Sequence, residues 1–199
     1  MFRLDAQLLI ATARALAGMG VAGEQFHDDA ARDGPDIGPS SPDAPRRSWD
    51  AQFIQRCGHW SHYDHRSRTS SWPIPKELTT TPELAQFGDE HGILRDSPRP
   101  GDIFLQWGPP RKAFIHSGVV VEVLASRKFK GKPPRFDLYA VEGDTDEHGM
   151  LNGGRVMPIR RPLSSAMGDR FLRWTDLECQ GLRQVLDFAE YVARRRVAG

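Results

Sequence analysis

The spacing of apolar positions changes twice along this chain, from helical to alternating and back to helical. Near the start, Leu4, Leu8, Ala11 and Ala15 recur at helical spacing, with Leu9 and Leu16 widening the apolar face. The pattern predicts an amphipathic first helix packed on the core, ending near Gly18 or Gly20, because glycine commonly follows a helix. Asp5 and Arg14 break the apolar run, so the segment reads as a helix rather than a secretion signal. Residues 34–45 hold four prolines and two glycines, which predicts a loop wound over the surface. A second helix is predicted from Trp49, with Ser48 as N-cap and Phe53, Ile54 and Cys57 on one side. Gly58 to Pro75 is polar and reads as a loop. Thr80 and Glu83 form a capping-box pattern that opens a third helix running to about His91 and Gly92.

From Asp102 onward, β-branched and aromatic residues predict strands over Asp102–Trp107, Ala113–Leu124, Phe136–Glu142, Arg155–Arg160 and Arg170–Trp174. Turn-rich segments at Gly108, at Gly131 to Pro134 and at Asn152 to Gly154 separate them. Leu182, Val185, Ala189 and Val192 then form one stripe of a closing helix over Leu177–Arg196. Helices first, then an antiparallel sheet, then a helix is the order of an α+β fold rather than a doubly wound parallel one. The division expected is a domain over residues 1–175 and a helical extension over 176–199.

Composition narrows the function classes. Hydrophobic residues make up 39% and charged residues 27%, ordinary values for a globular domain. The formal net charge of +1 argues against nucleic-acid and anionic-membrane partners, and no stretch has the length of a membrane span. The basic run Arg194 to Arg196 decorates a helix end. Two cysteines, Cys57 and Cys179, supply neither a disulfide framework nor a four-cysteine metal site.

Four short motifs lie in one order: Ser48-Trp49-Asp50-Ala51, Pro100-Gly101-Asp102, His116-Ser117-Gly118, and Glu142-Gly143-Asp144-Thr145. Together they resemble the CHAP family of cysteine, histidine-dependent amidohydrolases and peptidases. That family shows Trp-Cys-Ala at a helix start, Pro-Gly-Asp before a strand, His-x-Gly in the next strand, then Glu-Gly-Asn-Thr. The resemblance implies a papain-like fold, cleavage of peptidoglycan amide bonds without a cofactor, and an extracytoplasmic or phage-associated setting. It places His116 as the catalytic histidine, general acid for the leaving amine, and Glu142 as its orienting acid. The chain departs from the pattern twice: Asp50 stands at the nucleophile cysteine, and Asp144 at the asparagine.

Those departures decide the chemistry expected. A thiolate at a helix N-terminus beside an imidazolium is a good nucleophile. A carboxylate attacking an unactivated amide would give an anhydride, a worse acyl carrier. Asp50 still suits the place, since a helix N-terminus favours negative charge and a carboxylate opposite His116 reproduces a thiolate–imidazolium pair. The first expectation is therefore an impaired amidase module that binds peptidoglycan, a peptide, or a protein partner through its C-terminal helix. A second uses Asp50, His116, Glu142 and Asp144 as ligands of a divalent metal that activates water. A third is a structural or adaptor component of a phage or tail-like assembly. An open cleft favours ligand binding; one plugged by side chains favours the adaptor.

Other features have plainer readings. Cys57, seven residues into the Asp50 helix, lies about 10 Å along its axis and reads as a buried apolar residue. His59, His62 and His65 invite a zinc reading, but no cysteine or second cluster stands near, so a solvated or cleft-bordering loop is expected. Trp49 and Trp107 read as core aromatics and Asp102 as a structural turn residue. The backbone N–H at position 50, with Gln52 as a further donor, offers an oxyanion contact.

Overall fold

The computed structural model describes residues 5–20, 49–64, 69–129, 132–146, 148–149 and 154–177. The proline-rich loop, Ser48, His65, Cys179 and the closing helix lie outside them. Among the described residues three α-helices form: α1 (Ala6–Gly18), α2 (Asp50–Ser61) and α3 (Thr81–Glu90). A small hairpin pairs β1 (Tyr63–Asp64) with β2 (Thr69–Ser70). Six further strands follow: β3 (Leu94–Arg95), β4 (Ile103–Gly108), β5 (Ala113–Phe129), β6 (Lys132–Thr145), β7 (Arg155–Ser164) and β8 (Arg170–Leu172). They form one antiparallel sheet in the order β3-β8-β4-β5-β6-β7. The architecture is α+β, as the order of patterns predicts.

Local chemistry accounts for most boundaries. Thr80 accepts a hydrogen bond from the Glu83 N–H while the Glu83 carboxylate accepts from the Thr80 N–H, so α3 opens on a complete capping box. Asp5 caps α1 by accepting from the Gln7 N–H. The buried face of α1 differs from the expected one. Leu9, Ile10, Ala13 and Leu16 are buried, whereas Leu8 is 48% exposed and Ala11 and Ala15 face outward. Both stripes have helical spacing, and the bulkier one wins because it removes more apolar surface from water.

The first part of the segment after Cys57 is not the expected loop. Helix α2 runs through Gly58 to Ser61, and the β1–β2 hairpin follows. Gly58 is needed inside the helix because the Trp72 ring packs on its backbone, and a Cβ there would sit 2.0 Å from that ring. Gln55 holds Trp72 in place. Its amide oxygen accepts from the Trp72 indole N–H at 2.9 Å, and its nitrogen donates to the Pro75 and Leu78 carbonyls. Glycine breaks helices by propensity, and here tertiary packing overrides it.

The sheet is curled. Phe136 on β6 and Phe171 on β8 have ring centroids 5.7 Å apart, although β4 and β5 run between their strands. In a flat sheet three strand spacings would separate them by roughly 14 Å. Inside the curl sit Phe104, Val120, Leu138, Ala140 and Leu163. The other face, with Ile103, Leu105, Val119 and Val141, packs on the helices through Leu9, Phe53, Ile54 and Leu84. Strands buried on both faces read as nearly continuous apolar runs, which explains the weak alternation in β4 and β5. Prolines 158 and 162 are tolerated because β7 is an edge strand.

Candidate functional site

The first turn of α2 meets the middle of the sheet, and four ionisable groups line up there. Asp50 is the first residue of α2, where the unpaired N–H groups of the helix end favour its negative charge. His116 and Ser117 come from β5, Glu142 from β6 and Arg161 from β7. β5 and β6 pair with Gly118 opposite Glu142, and that register brings the imidazole to the carboxylate. Gly118 is constrained by the same packing: a Cβ there would lie 2.8 Å from the Glu142 side chain and 2.6 Å from the Phe104 ring.

His116 sits between two carboxylates. Its Nε2 is 2.9 Å from Glu142 Oε2, and its Nδ1 is 3.5 Å from Asp50 Oδ2. The first contact is a hydrogen bond; the second lies within ion-pair range but lacks hydrogen-bond geometry. Arg161 approaches Glu142 from the far side, with Nε donating to Oε1 at 2.9 Å and a terminal nitrogen donating to Oε2 and to the Gly149 carbonyl. Burial alone would favour the neutral ring of His116. The carboxylates of Asp50 and Glu142 outweigh it and push its pKa up to about 9. For Glu142, burial favours the protonated form, but His116 and Arg161 together pull its pKa below the ordinary value.

The Asp50 carboxylate is held on the other side by hydroxyls. Thr81 Oγ1 donates to Oδ2 at 2.6 Å and Ser117 Oγ donates to the same oxygen at 2.9 Å. Thr81 and Ser117 themselves lie 3.1 Å apart. Hydrogen bonds to a charged group contribute about 1.5–3 kcal/mol each. Thr81→Val and Ser117→Ala are each expected to lower unfolding free energy in denaturant titrations by about that amount. A change no larger than that of an ordinary surface substitution would show that the hydroxyls do not hold the carboxylate.

The site is closed. Asp50 is 1% exposed, and His116, Ser117 and Glu142 are 0% exposed. Asp144 is also buried. It lies two residues past Glu142, with a left-handed backbone (φ 56°) where the β6–β7 register shifts. The four-ligand metal centre expected as the second reading is not assembled. Among the described residues no group of three or more His, Cys, Asp and Glu side chains could hold a metal ion. The reason is visible at Glu142, where the Arg161 guanidinium occupies the side a dication would need.

The remaining candidates fall elsewhere. Cys57 is fully buried, and burial raises its thiol pKa well above the ordinary value, so it is no thiolate nucleophile. His59 and His62 are half-buried at the end of α2, and burial lowers the pKa of both. The His62 ring packs on Trp72 and Trp174. Asp102 is structural: it accepts from the Arg99 N–H and from two nitrogens of Arg173, pinning the turn before β4 to the end of β8. Trp49 is buried in the core, Trp107 is half-buried against Phe114, and Gln52 is half-buried. Sequence reasoning missed Thr81, Ser117 and Arg161. The one available signal was Ser117, a polar residue inside the apolar run of β5.

Comparison with known proteins finds no family model, no curated protein and no solved structure that this chain matches.

Proposed function

We propose that the protein is a non-catalytic module of the CHAP type, in which the former nucleophile position has become a buried ionic clamp and the domain serves as a structural or adaptor component. The observation that carries this reading is Asp50 itself. Its carboxylate is 1% exposed, takes hydrogen bonds from Thr81 and Ser117, and faces a charged His116. A nucleophile must reach its substrate and a general base must be able to accept a proton. Asp50 lacks that reach, and a carboxylate is a poor nucleophile toward an unactivated amide. His116 stays protonated below about pH 9, so it has no free lone pair near neutrality. The motif order, the helix-borne position 50 and the adjacent His–Glu pair support descent from the amidase pattern, while the sealed site supports loss of its chemistry.

The test is peptidoglycan hydrolysis by the unaltered protein and by Asp50→Cys, each checked for folding. Neither is expected to turn over, and the introduced thiol should resist a native thiol probe. Hydrolysis by the unaltered protein would sink the proposal. Turnover by Asp50→Cys alone would show that substrate reaches position 50, and would favour an impaired amidase that keeps its binding cleft.

A further inference from the structure

Three segments meet around one histidine at the end of α2. The His62 ring packs on Trp72 and Trp174, with centroids 5.5 and 5.2 Å away, and the two indoles lie 4.7 Å from each other. Trp72 follows the β1–β2 hairpin, and Trp174 follows β8. Both indoles are buried and anchored: Trp72 donates to the Gln55 side chain, and Trp174 donates to the Gly101 carbonyl at 2.7 Å. Trp174 stands three residues before Leu177, the last described residue. The imidazole thus ties the end of α2 to the stretch 173–177, whose Arg173, Asp176 and Leu177 amides are themselves hydrogen-bonded.

The two nitrogens of that ring have different surroundings. Nδ1 lies 3.1 Å from the Gly58 carbonyl and 2.7 Å from Ser61 Oγ. A carbonyl only accepts, so Nδ1 carries the hydrogen and donates it. Nε2 is buried, and among the described residues nothing bonds to it. In the neutral ring Nε2 is a bare lone pair. Protonation turns it into a buried N–H without an acceptor, which is the costlier state. Burial is the strongest influence on the ring and favours its neutral form, against the Gly58 bond and the charge of Asp5 at the start of α1. His59 on α2, which also feels Lys76 and Glu77, is a second titratable group close by. Next to Trp174 the charges are already matched, since Arg173 donates to Asp102.

We propose that His62 is an acid-released latch: its neutral ring clamps the Trp174 stretch to the end of α2, and its protonation lets that stretch open. Opening gives Nε2 access to water, so the open form binds the proton more tightly, and a fall in pH through the ordinary histidine range favours it. His116 keeps its proton across that range, so the latch and the Asp50 site respond in different pH windows. The test is amide hydrogen exchange of the full chain at about pH 7.5 and about pH 5.5, corrected for intrinsic exchange rates. Protection of residues 173–177 is expected to fall by roughly tenfold at the lower pH, and by more than that of β5. His62→Phe keeps a ring against both indoles, and His62→Asn keeps an N–H for the Gly58 carbonyl. Both variants should lose the pH dependence, whereas His59→Asn should retain it. Unchanged protection in the unaltered chain, or an equal fall in β5, would overturn the proposal. So would a pH dependence that survives in either His62 variant, or one that disappears in His59→Asn. Circular dichroism and melting of each variant confirm that the comparison is made between folded chains.

Discussion

Glu142→Ala is expected to destabilise the protein by about 3–5 kcal/mol, the largest effect of any single change at the site. Glu142 accepts from His116 on one side and from Arg161 on the other, and it is fully buried. Removing it leaves two cations in a low-dielectric interior with only Asp50 to face them. The cost comes from desolvated charge left uncompensated, which is why it exceeds the worth of any one bond. The contrast is Arg95–Asp176, an ion pair whose side chains are about one-third exposed. Asp176→Ala should cost only about 0–1 kcal/mol. Urea unfolding of both variants makes the comparison. If the two losses are alike, the buried network contributes no more than a surface pair, and the clamp reading fails.

The second large effect is a pH profile. The pKa of His116 is raised from about 6.5 to about 9, so its proton binds more tightly in the folded chain than in the unfolded one. Its contribution to stability, about 3 kcal/mol, is fully present below pH 6.5 and is lost as pH rises through about 9. The lowered pKa values of His59 and His62 act in the opposite sense. These rings fold neutral, so the unfolded chain binds their protons first and stability falls as pH drops below the ordinary histidine value. Stability should thus peak near pH 6.5 and decline on both sides. Denaturant midpoints measured across that range check it. The alkaline decline between pH 6.5 and 9 should vanish in His116→Gln; if it persists there, another group titrates in that window.

Much of this was legible before any coordinates. Thr80 and Glu83 announce α3 because a capping box is a local device, complete within four residues. The runs in β4 and β5 announce strands because β-branched residues crowd both faces of a buried sheet. His116 and Glu142 were found through motif order, and the β5–β6 register does bring them into contact. What was hidden depends on contacts between distant segments. Helix α2 extends past Gly58 because Trp72, fourteen residues later, needs that gap. Leu94 and Arg95 make a strand only because β8 lies beside them. Nothing in its neighbours along the chain tells which of Arg160 and Arg161 turns inward. The closure of the site was hidden for the same reason, since the hydroxyl of Thr81 reaches Asp50 from another helix.

The row Asp50, His116, Glu142, Arg161 has a consequence for how this region can change over evolutionary time. Two negative and two positive groups make it electroneutral, and each end is stoppered by a neighbour of opposite sign. Any lone replacement of a charged member leaves an odd charge stranded, whereas losing one acid and one base together restores the balance. Substitutions here should therefore be tolerated in matched pairs of opposite sign, whereas cysteine at position 50 keeps the balance only as its thiolate.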